Sequence, residues 1–198
     1  MPLVKTQAAQ SVQAAVSAPA PSWNIVITAQ RWEQKRLREQ LIPYGDFQTS
    51  HLRGVLTGQV RGVREFFEEL SRAEANDPQF FTRISKIVPV DYGFSFTGSR
   101  DFHEQTEKVM LKYLDAVGDR TFHLRCDRRG LGDELNSTEI ERRLGEVIYE
   151  TLKARGKSPH VKFKDPDILI ACEIVGSECG IGMISRELRR QFPFLKMF

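Results

Sequence analysis

Arginine and lysine recur in this sequence at the ends of apolar runs, and that placement is its first feature with chemical content. Arg125, Arg128 and Arg129 close the run Thr121-Phe-His-Leu-Arg-Cys-Asp127, Lys162 and Lys164 lie in the next extended stretch, and Arg186, Arg189 and Arg190 follow the last. A guanidinium presents a planar fork of donors matched to phosphate and an ammonium a compact point charge, so cations gathered on one surface grip a nucleic-acid backbone without reading its sequence. If the three runs share a sheet, several of these eight residues converge on one face. The bland alternative is a solvated surface on which the like charges of Arg186 and Arg190 are tempered by Glu187. The formal net charge of +3 is too small to decide between them, so distribution has to.

Catalytic chemistry finds less support. His51, His103, His123 and His160 fall in four separate elements without metal-ligand spacing, Asp165 and Asp167 flank a proline as turn formers, and Asp133 and Glu134 precede a helix. Cys126, Cys172 and Cys179 form no CxxC pair and read as reduced core thiols; a zinc site would need His123 or Glu173 to converge on them. The run Gly176-Ser-Glu-Cys-Gly180-Ile-Gly182 lacks the Gly-Lys-Ser/Thr ending of a phosphate loop and is followed by strand-like Met183-Ile184, so it reads as a hairpin return bracketed by its glycines. The expectation is a protein with no cofactor, no metal and no catalytic site of its own.

Ile168 to Val175, apolar except for Glu173, predicts a central strand buried on both faces, started by Asp165-Pro166-Asp167 and returning as a second strand through Ile181, Met183 and Ile184. Thr121 to Asp127 alternates apolar Phe122, Leu124 and Cys126 with polar neighbours, the pattern of a strand with one wet face. Between them Ile140, Leu144, Val147, Ile148 and Leu152 keep helical spacing behind a capping box at Asn136, Ser137 or Thr138. A further helix is predicted over Asp101 to Val117, with Asp101 suited to the positive end of its dipole and Gly118 as its stop.

The runs TFHLRCDRRG, NSTEIERRLGEVIYETL and HVKFKDPDILIACEIVGSECGIGMIS together resemble the THUMP domain, an RNA-binding module of tRNA-modifying enzymes. Arg83-Ile-Ser-Lys-Ile-Val-Pro-Val90 resembles the segment leading into it in the tRNA acetyltransferase adaptors. Upstream, WNIVITA, the charged helix RWEQKRLREQL, strand material from Phe47 to Val60, a helix over Val63 to Glu74 and a strand over Phe81 to Val90 give β-α-β-(β)-α-β, compatible with a ferredoxin-like sandwich. The resulting expectation is an α+β chain: a flexible Ala/Pro/Ser tail over 1–22, a ferredoxin-like domain over 23–85 and an α/β THUMP domain with a mixed sheet over 86–198.

The resemblance implies a non-catalytic protein that binds the acceptor end of tRNA and presents it to a separate tRNA-modifying enzyme, in the adaptor family a cytidine acetyltransferase; the lack of an apolar secretory signal or membrane span gives the expectation of a cytoplasmic location. Little of the chain lies beyond the module, which points the same way. Unpaired nucleotides would stack on aromatics such as Phe94 or Phe96. Two rival readings remain at this stage. One is a protein-docking module using the C-terminal Phe192, Phe194 and Phe198; the other is a small RNA-processing enzyme built on His123, Cys126 and Glu173. No apolar run approaches the ~20 residues of a membrane span.

Overall fold

The computed structural model describes residues 21–30, 33–130 and 135–195. The tail expectation therefore lies, up to residue 20, outside the described residues, as do Arg31, Trp32, Asp133, Glu134 and Phe198.

The first sheet contains β1 (Ile25–Ala29), β2 (Asp46–Thr49), β3 (Val55–Gln59) and β4 (Ile84–Pro89) in the order β2-β3-β1-β4, every neighbour antiparallel. Helices α1 (Gln34–Leu41) and α2 (Val63–Asn76) connect β1 to β2 and β3 to β4, the ferredoxin-like arrangement. Alternation along the strands sorts the side chains. Ile25, Ile27, Leu56 and Ile87 point to the core under the helices with Leu37, Phe66, Phe67 and Leu70, while Val26, Val55 and Val88 point the other way.

The second sheet has the order β5-β9-β8-β6-β7, with β5 (Tyr92–Ser95), β6 (Thr121–Arg129), β7 (His160–Val161), β8 (Ile168–Val175) and β9 (Glu178–Ser185). It is mixed. β6 runs parallel to β7 and β8, and β9 antiparallel to β5 and β8. Helix α3 (Gly98–Met110), the short α4 (Leu114–Val117) and α5 (Ser137–Ala154) cover one face, burying Phe122, Leu124, Ile170 and Cys172. α5 starts at the first of the three candidate caps: the Asn136 side chain accepts the Glu139 backbone N–H at 3.1 Å. Asp101 closes the start of α3 by accepting the Thr97 N–H at 2.8 Å, which holds its carboxyl below the usual range. The predicted long helix over Asp101 to Val117 is interrupted by a tighter turn at Leu111–Tyr113.

β8 is buried along all of its length because its second face meets the first domain. Ala171 and Val175 pack on Trp23, Val26, Val55, Val88 and Val90, making a helix–sheet–sheet–helix stack. The glycines of the hairpin have divided roles. Only Gly176, with φ of 61°, is in the two-residue turn, at the first central position, where a positive φ is required. Gly180 and Gly182 lie within β9, where a Cβ would come 2.3 Å from the Trp23 ring and 1.8 Å from the Pro89 carbonyl oxygen, so they set the approach of the two domains rather than the turn. The first sheet's last strand runs on to Pro89, and helix α6 (Arg186–Gln191) leads the chain back to the first domain, where Phe192 and Leu195 complete the core under α1 and α2.

The aromatic expectation at Phe94 and Phe96 is corrected. Both rings are buried, Phe96 packing 5.1 Å from Phe102, because Tyr92 to Ser95 is not a loop but an edge strand whose alternate side chains enter the core. The docking-tail reading loses two of its rings in the same way: Phe192 is 5.4 Å from Phe67 and Phe194 stacks on Phe81 at 4.7 Å.

Candidate nucleic-acid interface

The eight predicted cations do not share one face. β9 runs opposite to β6, so the end of β9, with Arg186, Arg189 and Arg190, lies beside the start of β6, whereas Arg128 and Arg129 lie at its far end. Eight residue steps separate Thr121 from Arg129, roughly 26 Å at the rise of a strand. Lys162 joins the first group, since its N–H donates to the Phe122 carbonyl at 2.9 Å.

Their commitments also differ. Arg186 donates to Asp167 at 2.6 Å and pairs with Asp165 at 3.1 Å; Arg189, whose side chain is only 9% exposed, donates to the Ile184 carbonyl at 3.0 Å and pairs with Asp165 at 3.3 Å. These two arginines fasten the Asp165–Asp167 turn to α6. Asp167 itself accepts the Thr121 hydroxyl at 2.6 Å and the Thr121 N–H at 2.9 Å, bonds that with Arg186 hold its carboxyl below the usual range. Arg129 is turned inward, donating to Glu173 at 3.0 Å and to the Thr28 hydroxyl at 2.9 Å.

Glu173, 1% exposed, and Lys86, 6% exposed, meet between the sheets, and the same ammonium also binds Asp127. Burial alone would raise the Asp127 pKa, but Lys86, Arg129 and Arg125 outweigh it and hold the carboxyl low. The odd-numbered side of β6 is thus wet only at its beginning; Asp127 and Arg129 face the other domain. The four charges tie two strands of the second sheet to β1 and β4 of the first.

Among the described residues, Arg128, Lys162, Lys164 and Arg190 have no carboxylate within 4 Å of their charged nitrogens, and Arg125, 42% exposed, has only Glu141 at 3.8 Å. Of the eight predicted cations, these five are available to a polyanion. Lys162 and Lys164 flank Phe163, a ring 72% exposed and 5.2 Å from His123, which sequence reasoning passed over although Lys-Phe-Lys was its signal. Phe163 and His123 border a groove of about 490 Å³ between α5 and β6. Burial holds the His123 imidazole below its ordinary pKa, so it is neutral at pH 7.

The constellation His123, Cys126 and Glu173 is not assembled. His123 and Cys126 are three residues apart on one strand and so on opposite faces, and Glu173 is taken by Lys86 and Arg129. The three thiols are buried on the helix-facing side, where burial and mutual contact push them above their ordinary range, and no group of three metal-ligating side chains occurs among the described residues.

A four-stranded antiparallel domain is tied by buried charge to a mixed sheet that carries free cations at both ends, an α+β fold in which residues 99–183 match the THUMP domain family. The relatives are enzymes of tRNA. The tRNA sulfurtransferase of Vibrio vulnificus is 26% identical over 133 residues, covering 64% of this chain and 27% of that protein; the tRNA sulfurtransferase of Citrobacter koseri is 27% identical over 139 residues, covering 61% and 27%. This chain therefore spans about a quarter of the length of these relatives. Among solved structures, TrmN from Thermus thermophilus superposes with a TM-score of 0.57 at 22% identity, over 85% of this chain and 48% of that one. PH1313 from Pyrococcus horikoshii superposes with a TM-score of 0.53 at 20% identity, over 81% and 54%. At these identities the superpositions speak for the fold. These sequence relatives are tRNA sulfurtransferases and do not single out the acetyltransferase adaptors to which the resemblance pointed.

No helix among the described residues is long and apolar enough to cross a membrane.

Proposed function

We propose that this chain binds tRNA and presents it to a separate tRNA-modifying enzyme, itself contributing grip and orientation rather than catalysis. The observation that carries the reading is that Arg128, Lys162, Lys164 and Arg190 stay unpaired while their neighbours Arg129, Arg186 and Arg189 are consumed internally. Keeping like charges unneutralised on one body disfavours the compact state, and a polyanion relieves that cost. Their spread over both ends of β6, roughly 26 Å, suits the backbone of a folded RNA better than a small anionic metabolite. The similarity to tRNA sulfurtransferases supports tRNA as the RNA class, and the tightly joined domains support a rigid spacing between the gripped part of the tRNA, here taken as its acceptor end, and the modified position. For the partner, a cytidine acetyltransferase follows from the resemblance of Arg83 to Val90 and of the module, and a sulfur-transferring enzyme from the relatives; co-purification with each distinguishes them.

The test is the salt dependence of tRNA binding. Each phosphate contact contributes a slope of about 0.9 in log K against log salt, so the variant carrying Arg128→Ala, Lys162→Ala and Lys164→Ala should flatten the slope by about 2.7. Arg186→Ala, which loosens the Asp165–Asp167 turn, should weaken folding and leave the slope of the folded fraction unaltered. A triple variant with the wild-type slope would refute the interface.

A further inference from the structure

We propose that the groove between α5 and the open edge of β6 receives an unpaired RNA base, stacked on Phe163, with the adjoining phosphates on Lys162 and Lys164. This rests on the RNA-binding reading above and names the part of the RNA that this face takes.

β7 covers the first two residues of β6, so from His123 onward that edge of the sheet has no strand beside it among the described residues. The gap is filled from the side by α5. Glu141 reaches across and accepts the Cys126 N–H at 2.8 Å, and Gly145, beside which a Cβ would meet nothing within 4 Å, leaves the helix surface recessed. What results is a slot with Leu124, Val161 and Tyr149 on its walls and Phe163 at its lip. Phe163 is a large ring exposed to water on a loop between two ammonium groups without a carboxylate partner, and among the described residues its ring contact is an edge approach to His123. Aromatic faces flanked by cations are the standard means of holding single-stranded nucleic acid, the ring taking a base and the cations its backbone.

Charged side chains line the slot itself, Glu141, Arg142 and Glu146, with Glu146 accepting from Arg142 at 2.8 Å, while Lys162 and Lys164 stand on either side of Phe163 in the chain. The ammonium groups attract the phosphates, while the exocyclic amine of adenine or cytosine finds carboxylate acceptors in Glu141 and Glu146. An extended peptide, the other occupant that an open strand edge admits, would need the Cys126 N–H for its ladder, and Glu141 already holds it. The slot is therefore suited to a base rather than to a strand.

The test uses the full chain, fluorescein-labelled rA4, rC4 and rU4, and whole tRNA, read by fluorescence anisotropy. Wild-type protein should bind rA4 and rC4 more tightly than rU4. Phe163→Ala should weaken rA4 and rC4 roughly 5- to 150-fold, the range expected for losing one base stack, and Phe163→Tyr should restore binding. Because Phe163 is exposed, the thermal midpoint should not move, which separates a binding defect from a folding one. Equal binding by wild type and Phe163→Ala overturns the proposal. So does tRNA binding by the wild type without measurable binding of any tetranucleotide, the pattern of an edge kept for a protein strand. Failure to bind tRNA at all would bring down the tRNA-binding reading itself, a different result from either of these.

Discussion

Lys86 offers the sharpest test of how the two domains are held. Its ammonium sits between the sheets against Glu173 and Asp127, and Glu173 is shared with Arg129 at 3.0 Å. Replacing Lys86 with methionine keeps most of the volume and strands a carboxylate that is 1% exposed. Breaking a buried ion pair by removing one partner costs about 3–5 kcal/mol; because Arg129 still reaches Glu173, and because Asp127 is accessible enough to regain water, the lower end applies, about 3 kcal/mol. In urea, at a slope of about 1–3 kcal/mol per molar, the unfolding midpoint should fall by about 1 M or more. Removing the stranded charge as well, in Lys86→Met with Glu173→Leu, should return about half of the loss, so the two substitutions couple by more than about 1 kcal/mol in a double-mutant cycle. Far-UV circular dichroism gives the unfolding curve, and Trp23, packed against β9 at the junction, gives a fluorescence signal from the interface itself. A Lys86→Met protein within about 1 kcal/mol of wild type, or a double variant that costs the sum of its parts, would show that the cluster does not hold the domains together.

Two further outcomes follow from contacts already described. The Asp167 carboxyl is held low by Thr121 and Arg186, so its share of the stability is present above the unfolded carboxylate pKa of about 3.9 and is lost as pH falls through the folded value; Asp167→Asn should flatten the acid limb of stability below about pH 4, as measured by urea midpoints against pH. Phe192→Ala empties a site in the core under α1 and α2 and should cost about 3–5 kcal/mol by urea denaturation, whereas an exposed docking ring would cost almost nothing.

Much of the fold could be read in advance because it is written locally. Eight consecutive buried positions made β8 legible, period-2 alternation made β6 legible, and Asn136 announced α5. What escaped depends on partners distant in sequence. The polar side of β6 carries the same pattern whether it faces water or another domain, so Asp127 and Arg129 read as wet; only Lys86 and Thr28, far upstream, decide otherwise. Arg186 and Arg189 read as free because Asp165 and Asp167 stand on the far side of a whole hairpin. Strand polarity did the rest: a cation after β6 and a cation after β9 sound alike in sequence and lie at opposite ends of the sheet. Tyr92, Phe94 and Phe96 do alternate with Gly93 and Ser95, but a run this short between Asp91 and Gly98 reads equally well as a turn, so their burial was missed.

The return of the chain through α6 has a consequence for how the protein comes into being. The core beneath α1 and α2 is finished by Leu169, Ile184, Phe192 and Leu195, which leave the ribosome after everything they pack against. Synthesis from the N-terminus usually lets a leading domain fold before its successor is complete. Here the leading domain emerges with its apolar floor open and must wait, exposed, until the stretch from Leu169 to Leu195 arrives to close it.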